Sequence, residues 1–345
     1  MKLRDFDFSL PKALIAQHPL PERDRSRMMV IWRESGRREH RTFRDLPEIL
    51  NSEHYLVLNN TRVFPARLRA NRPGKTDKIE ILLVRELSPG EWFALLKPAR
   101  KLLPGQELQI GTLKARVAAL KESGGRILRF DQTEGLMECF ERIGETPLPP
   151  YIHRPNKLDL AEDRTRYQTV YARRTGSVAA PTAGLHFTPE VLKHLEERRI
   201  GRCEIMLHVG YGTFQPVRSK NVEEHRMEPE YFEVDERAAT FIRTNREAGR
   251  HLVAIGSTTT RVLEYLAMAD PSLTCGKSGY CDLFIYPGFK FRMINGMLTN
   301  FHLPRSTLFM LVSAFAGRDL MLDCYQEAIS KGYRFFSYGD CMLLI

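Results

Sequence analysis

Six short β-type runs follow one another between Val63 and Gly144, at 66–70, 78–86, 92–96, 107–110, 114–120 and 126–130. Pro-Gly or Gly-Gly separates several of them. Short strands at regular spacing with turn signals between them predict a small antiparallel β-barrel. A predicted helix at 134–143 closes the segment. The stretch Gly-Glu-Thr-Pro-Leu-Pro-Pro at 144–150 then reads as a stiff linker.

The flanking sequence has a different texture. Residues 55–58 read as a buried strand, and an apolar run at 13–18 is halted by Pro19. Beyond the linker, the polar segment 155–164 reads as a loop, and helices are predicted at 189–199, 236–248, 259–268, 307–316 and 320–330. Strands are predicted at 203–209, 252–255 and 282–286, with a return to the sheet over 335–344. Thr188 before Pro189 and Asp235 before Glu236 supply N-caps, and Gly249 a stop. Alternation of this kind argues for α/β layers, and 345 residues favour two domains. The expected fold is therefore α/β: a large discontinuous α/β domain with a mixed sheet, formed by 1–62 and 145–345, carrying a small inserted antiparallel β-barrel at 63–144.

Hydrophobic content of 43% with 27% charged residues fits a soluble globular chain. No run is long and apolar enough to span a bilayer, and the first residues lack a signal-peptide core, so a cytoplasmic protein without membrane contact is expected. Six scattered cysteines without a Cys-x-x-Cys pair, and no His-Glu-x-x-His, argue against zinc and disulfide frameworks; no metal is expected. The net charge is +10, and arginines cluster at 23–27, 37–44, 62–72 and 164–174. Such density suits a polyanion, whereas a solvated basic surface is the plainer reading.

Candidate chemistry lies in loops. Residues 176–188 mix small residues, hydroxyls, two glycines and His186 ahead of a helix start, which suits a site near which protons move, or a tight connection. His208, Gly210 and Gly212 form a second glycine loop that lacks the third glycine of a dinucleotide fingerprint. Gly256-Ser257-Thr258 with Arg261 is a strand–glycine–helix junction that can bind a carboxylate or phosphate, although helix capping explains it nearly as well. His302 in a loop and Asp340 at a probable strand end are further candidates, each with a structural alternative. His225, Glu228 and Glu230 are too loosely spaced for a metal, and solvent or backbone partners are expected for them.

Several of these segments, taken in order, carry a resemblance. They are Ala16-Gln17-His18-Pro19, Leu56-Val57-Leu58-Asn59-Asn60-Thr61-Arg62-Val63, Tyr167-Gln168-Thr169-Val170-Tyr171, the loop through His186, His208-Val209-Gly210, Asn300-Phe301-His302-Leu303-Pro304 and the Ser337–Asp340 ending. Together they resemble the S-adenosylmethionine:tRNA ribosyltransferase-isomerases of queuosine biosynthesis over nearly the whole chain. The resemblance implies transfer and isomerisation of the ribosyl group of S-adenosylmethionine, consumed as donor with no true cofactor. The acceptor would be 7-aminomethyl-7-deazaguanine at the tRNA wobble position, and the products epoxyqueuosine-tRNA, adenine and methionine. It implies His186 first for proton transfer, with His208 and Asp340 in reserve. Asn59, Asn60, Thr61 and Arg62 would orient ribose or deazapurine, and Thr182, Ala183 and Gly184 would shape the nucleoside pocket. Gly256, Ser257, Thr258 and Arg261 would take the methionine carboxylate. Gly210, Gly212 and His302 complete the expected binding set, and a monomer is expected. The competing readings are an S-adenosylmethionine-dependent tRNA methyltransferase, whose usual glycine fingerprint is absent here, and a non-catalytic tRNA-binding protein.

Overall fold

The computed structural model describes residues 1–100, 102–121, 124–154, 157–210, 217 and 219–345, leaving out the side chains of 157–160. Its larger sheet has nine strands, in the order Lys277–Cys281, Glu230–Val234, Gly201–Leu207, His54–Asn59, His251–Ile255, Gly296–Asn300, Cys341–Leu344, Arg27–Ile31 and Arg38–Thr42. The four strands from Gly201–Leu207 to Gly296–Asn300 run parallel, and antiparallel pairs flank them, so the sheet is mixed. Successive residues of the central strands enter different cores. Tyr55 and Val57 pack with the helices Ser257–Ala269, Thr307–Ala316 and Arg318–Ser330, whereas Leu56 and Leu58 pack with the helix Pro189–Glu197. Helices on both faces explain why these strands read as continuous apolar runs.

The second sheet is antiparallel throughout, in the order Arg67–Ala70, Ile79–Ser88, Glu91–Lys97, Arg126–Phe130, Leu113–Leu120 and Glu107–Ile110. Its first and last strands meet through paired backbone hydrogen bonds between Asn71 and Gln109, at 3.0 and 2.8 Å, which nearly close a barrel. The helix Leu136–Ile143 plugs this barrel, with Phe140 edge-on to Trp92 and Phe130. Where the chain leaves the barrel, Gly144 lies against the Pro65 carbonyl; a Cβ there would stand 2.0 Å from that oxygen. Gly144→Ala is therefore expected to destabilise the protein by about 1–3 kcal/mol through overpacking, read as a lowered urea midpoint.

The expected barrel strands and the helices at 189–199, 236–248 and 307–316 lie within a few residues of those observed. Thr188 and Asp235 cap their helices by accepting from Val191 N and Ala238 N. Three expectations are corrected. The edge strand is Lys277–Cys281, not 282–286: in its register Glu230 faces Cys281, so Asp282 would face Pro229, which has no N–H to extend the ladder. Of 335–344, Cys341–Leu344 alone forms a strand. The polar segment 155–164, read as a loop, contributes to the helix Lys157–Arg166. That helix is tied down by buried Asp163, which takes two hydrogen bonds from Arg154 at 2.6 and 3.0 Å and one from Tyr338 at 2.9 Å.

Candidate functional site

The parallel strands His251–Ile255 and Gly296–Asn300 end side by side, and a cavity of about 640 Å³ opens beyond their carboxyl ends. This is the usual place for a ligand in an open α/β sheet. Gly256 makes the turn from strand to helix at φ +92° and ψ 155°, a backbone state open to glycine almost alone. The helix Ser257–Ala269 starts at the cavity wall, and Ser257 and Thr258 line it. The first amides of a helix have no acceptor within it, so they present donors and partial positive charge there. Thr258 Oγ1 and Asn300 Oδ1 are buried without a hydrogen-bond partner, and both residues line this cavity.

Pro181, Thr182 and Ala183 also line the cavity, as does the turn holding Phe336 and Ser337. The Phe336 ring centroid stands 4.1 Å from that of Tyr151, whose hydroxyl lies 2.5 Å from Ser337 Oγ. Phe336 and Arg305 both have positive φ, +75° and +57°, a strained state for a side chain that clusters at ligand sites. His302 lines the floor, with Nε2 2.9 Å from Thr299 Oγ1 and its backbone N–H donating to the Tyr325 hydroxyl. Burial pushes its pKa down to about 3. Thus Thr182, Ala183, Gly256, Ser257, Thr258 and His302 converge on one cavity. Tyr151, Asn300, Arg305, Phe336 and Ser337 join them without having been singled out individually from the sequence.

The other expected site residues lie elsewhere. His186 is 4% exposed and is not among the residues lining the cavity. Its Nδ1 lies 2.7 Å from Ser26 Oγ and its Nε2 3.3 Å from Asn300 Nδ2, and burial lowers its pKa to about 4. Gly184 packs against the Tyr171 hydroxyl. The Asp340 carboxylate accepts the backbone N–H groups of Arg27 and Arg334 at 2.9 and 2.8 Å, so it braces the turn rather than facing the cavity; burial raises its pKa. Arg261 is 3% exposed and is turned away: Nη1 meets Glu230 Oε2 at 2.6 Å, and its other nitrogens donate to the carbonyls of Leu283 and Cys281. Glu230 in turn accepts from Gly210 N at 2.7 Å. Asn59 is used up locally, donating to Leu207 O and accepting from the backbone of Thr61 and Leu207. Asn60 donates to Glu204, Thr61 Oγ1 lies 2.9 Å from His208 Nδ1, and Arg62 is exposed. Gly212 lies outside the described residues.

His208 and Gly210 instead line a larger cavity of about 970 Å³ between the barrel and the large sheet, walled by Trp92, Phe93, Tyr231 and Tyr280. Val209 lines both cavities. Burial and nearby Arg174 lower the pKa of His208. Many arginines of the basic clusters are engaged by carboxylates: Arg41 with Glu39, Arg44 with Glu22 and Asp24, Arg69 with Glu80 and Glu145, and Arg72 with Asp77.

The two buried histidines carry a pH prediction. Their folded pKa values lie below the usual 6.5, so between pH 6.5 and 4 the unfolded chain binds protons that the folded chain refuses. The stability they contribute is present above pH 6.5 and is lost as pH falls, by on the order of 3 kcal/mol from His186 alone. Urea unfolding at pH 7 and pH 4.5 checks this, and the loss is expected to be smaller in His302→Gln.

A family model described as a queuosine biosynthesis protein matches residues 3–344. A relative from Moorella thermoacetica, named S-adenosylmethionine:tRNA ribosyltransferase-isomerase, is 50% identical over 348 residues, with 100% of both chains covered. One of the same name from Desulfitobacterium hafniense is 47% identical over 347 residues, again with 100% of both covered. The crystal structure of an S-adenosylmethionine tRNA ribosyltransferase from Thermotoga maritima is 37% identical, with a TM-score of 0.57 over 99% of this chain and 100% of that one.

Proposed function

The chain belongs to the queuosine biosynthesis protein family, and from that premise we propose that its 640 Å³ cavity binds S-adenosylmethionine as a ribosyl donor for a tRNA. The activity is that of an S-adenosylmethionine:tRNA ribosyltransferase-isomerase. The observation that carries the site is the meeting of a helix start, two orphaned polar atoms and an aromatic pair in one cavity. Its volume falls in the roughly 300–1,000 Å³ range of small-molecule sites. In this reading the methionine carboxylate rests on the first amides of the Ser257–Ala269 helix, with Gly256 allowing close approach. Adenine stacks on the Tyr151–Phe336 pair.

The donor's own chemistry needs positioning and proton transfer. The sulfonium acidifies the adjacent 5′ C–H, so loss of that proton leaves an ylide-like carbanion. Adenine departs more easily when it is protonated as it leaves. The acceptor amine, stripped of its ammonium proton, replaces adenine on C1′ and gives up an N–H proton. The C5′ carbanion pair forms the new carbon–carbon bond to C1′ as the C1′–O4′ bond breaks, and the freed O4′ displaces methionine from C5′ as the thioether, closing the epoxide. The acceptor in this reading is the aminomethyl group of 7-aminomethyl-7-deazaguanine at the wobble position. The base enters by the larger cavity, whose Phe93, Tyr231 and Tyr280 offer stacking surfaces for a splayed nucleotide. Exposed Arg62, paired in register with Thr175 at that cavity, faces the phosphates. Residues 63–144 then act as a module that forms one wall of the tRNA-side cavity.

The test is to incubate the protein with S-adenosylmethionine and precursor-modified tRNA and identify the small products. Adenine with methionine is expected. S-adenosylhomocysteine would mark methyl transfer instead, and no turnover would mark a binding protein.

A further inference from the structure

The Asn300 side chain can be oriented without ambiguity. Its Nδ2 lies 3.0 Å from the Phe336 carbonyl, which can only accept, so that atom is the amide nitrogen and not the oxygen. The second N–H of the same nitrogen then points at His186 Nε2, 3.3 Å away. An amide donor there requires Nε2 to carry the lone pair, which leaves the ring proton on Nδ1, facing Ser26 Oγ at 2.7 Å. Ser26 Oγ passes its own proton to the Arg23 carbonyl at 3.2 Å. Every donor in this chain is used, and what remains is one acceptor, Asn300 Oδ1, buried without a partner in a residue 2% exposed. Asn300 lines the cavity; His186 does not.

We infer that His186 is a positioning residue: as the Nδ1–H tautomer it holds the Asn300 amide so that Oδ1 faces the cavity and accepts an N–H of the sulfonium nucleoside. This rests on the assignment of that cavity to S-adenosylmethionine. It gives the loop histidine a role other than proton transfer, because both ring nitrogens are occupied inside the protein. A buried carbonyl oxygen is costly when unmatched, so it waits for a donor and discriminates against a ligand that lacks one.

The wild-type protein supplies the first test. In ¹⁵N NMR, His186 is expected to show a protonated Nδ1 and an unprotonated Nε2, unchanged from pH 6 to 8. A protonated Nε2, or a titration near neutrality, overturns the inference. Kinetics with S-adenosylmethionine and precursor tRNA supply the second. His186→Gln keeps an acceptor near the Nε2 position but cannot shuttle protons; it is expected to hold KM for S-adenosylmethionine within about threefold and to leave the pH profile of kcat unchanged. His186→Leu is expected to raise KM about tenfold or more (roughly 1.4 kcal/mol), with kcat less affected. Equal collapse of kcat in both variants, with folding intact by circular dichroism, would overturn the positioning role and restore proton transfer. Failure of the parent assignment is separate: it would show as donor density outside this cavity in a crystal with S-adenosylmethionine bound, whatever the two variants do.

Discussion

Arg261→Met is expected to lower the unfolding free energy by about 3–5 kcal/mol, the usual result of stripping one partner from a buried ion pair. Arg261 and Glu230 are 3% and 4% exposed and meet at 2.6 Å. Glu230 would keep its hydrogen bond from Gly210 but lose the guanidinium that compensates its charge. The contact joins the Ser257–Ala269 helix to the Glu230–Val234 strand, and through Glu230 it reaches Gly210. The double variant Arg261→Met with Glu230→Leu is expected to recover much of the loss, since both charges of the pair are then gone. Urea titration of both variants checks the pair. Equal stability of Arg261→Met and wild type would mean that the arginine is free to serve a ligand, as the sequence alone suggested.

The second large effect is functional. Gly256→Ala is expected to raise KM for S-adenosylmethionine about ten- to a hundredfold, or about 1.4–2.7 kcal/mol. Space does not forbid the methyl group, since a Cβ would meet Ala183 Cβ at an ordinary 3.7 Å. The backbone does: φ of +92° with ψ of 155° is strained for any other residue, so the turn must shift and carry the helix amides with it. Steady-state kinetics measures the change, and a calorimetric titration with S-adenosylmethionine separates binding from turnover. An unaltered KM would detach the helix start from the donor site.

Legibility in the sequence followed the range over which the determining physics acts. The barrel strands were readable because each is short, bounded by its own turns and stabilised by neighbours close in sequence. The start of the Ser257–Ala269 helix was readable for the same reason: glycine, serine and threonine before an apolar run form a local signal. The strand Arg27–Ile31 and the edge strand Arg38–Thr42 were missed; the second, Arg-Glu-His-Arg-Thr, carries almost no apolar pattern and is held by its partner. Gly296–Asn300 was missed as well, being five residues buried in the sheet with polar Thr299 and Asn300 at its end.

The site divides in the same way. Gly256, Ser257, Thr258, Thr182, Ala183 and His302 were found as parts of unusual loops, and they meet at one cavity. His186, Asp340 and Arg261 looked chemical because their residue types are chemical. What each of them touches is set by partners 114, 313 and 31 positions away in sequence. Nothing local distinguishes a histidine that lines a cavity from one that packs behind an asparagine lining it. Tyr151 and Phe336 were invisible for a related reason, since their pairing depends on a left-handed backbone at Phe336 and on the turn that Asp340 braces.

The most direct measurement is a crystal structure of the protein with S-adenosylmethionine bound. The donor is expected in the 640 Å³ cavity, its carboxylate within hydrogen-bond reach of the backbone amides at Ser257–Thr259 and its adenine against Phe336. Donor density in the larger cavity instead, between Trp92 and Tyr280, would contradict the assignment on which the rest depends.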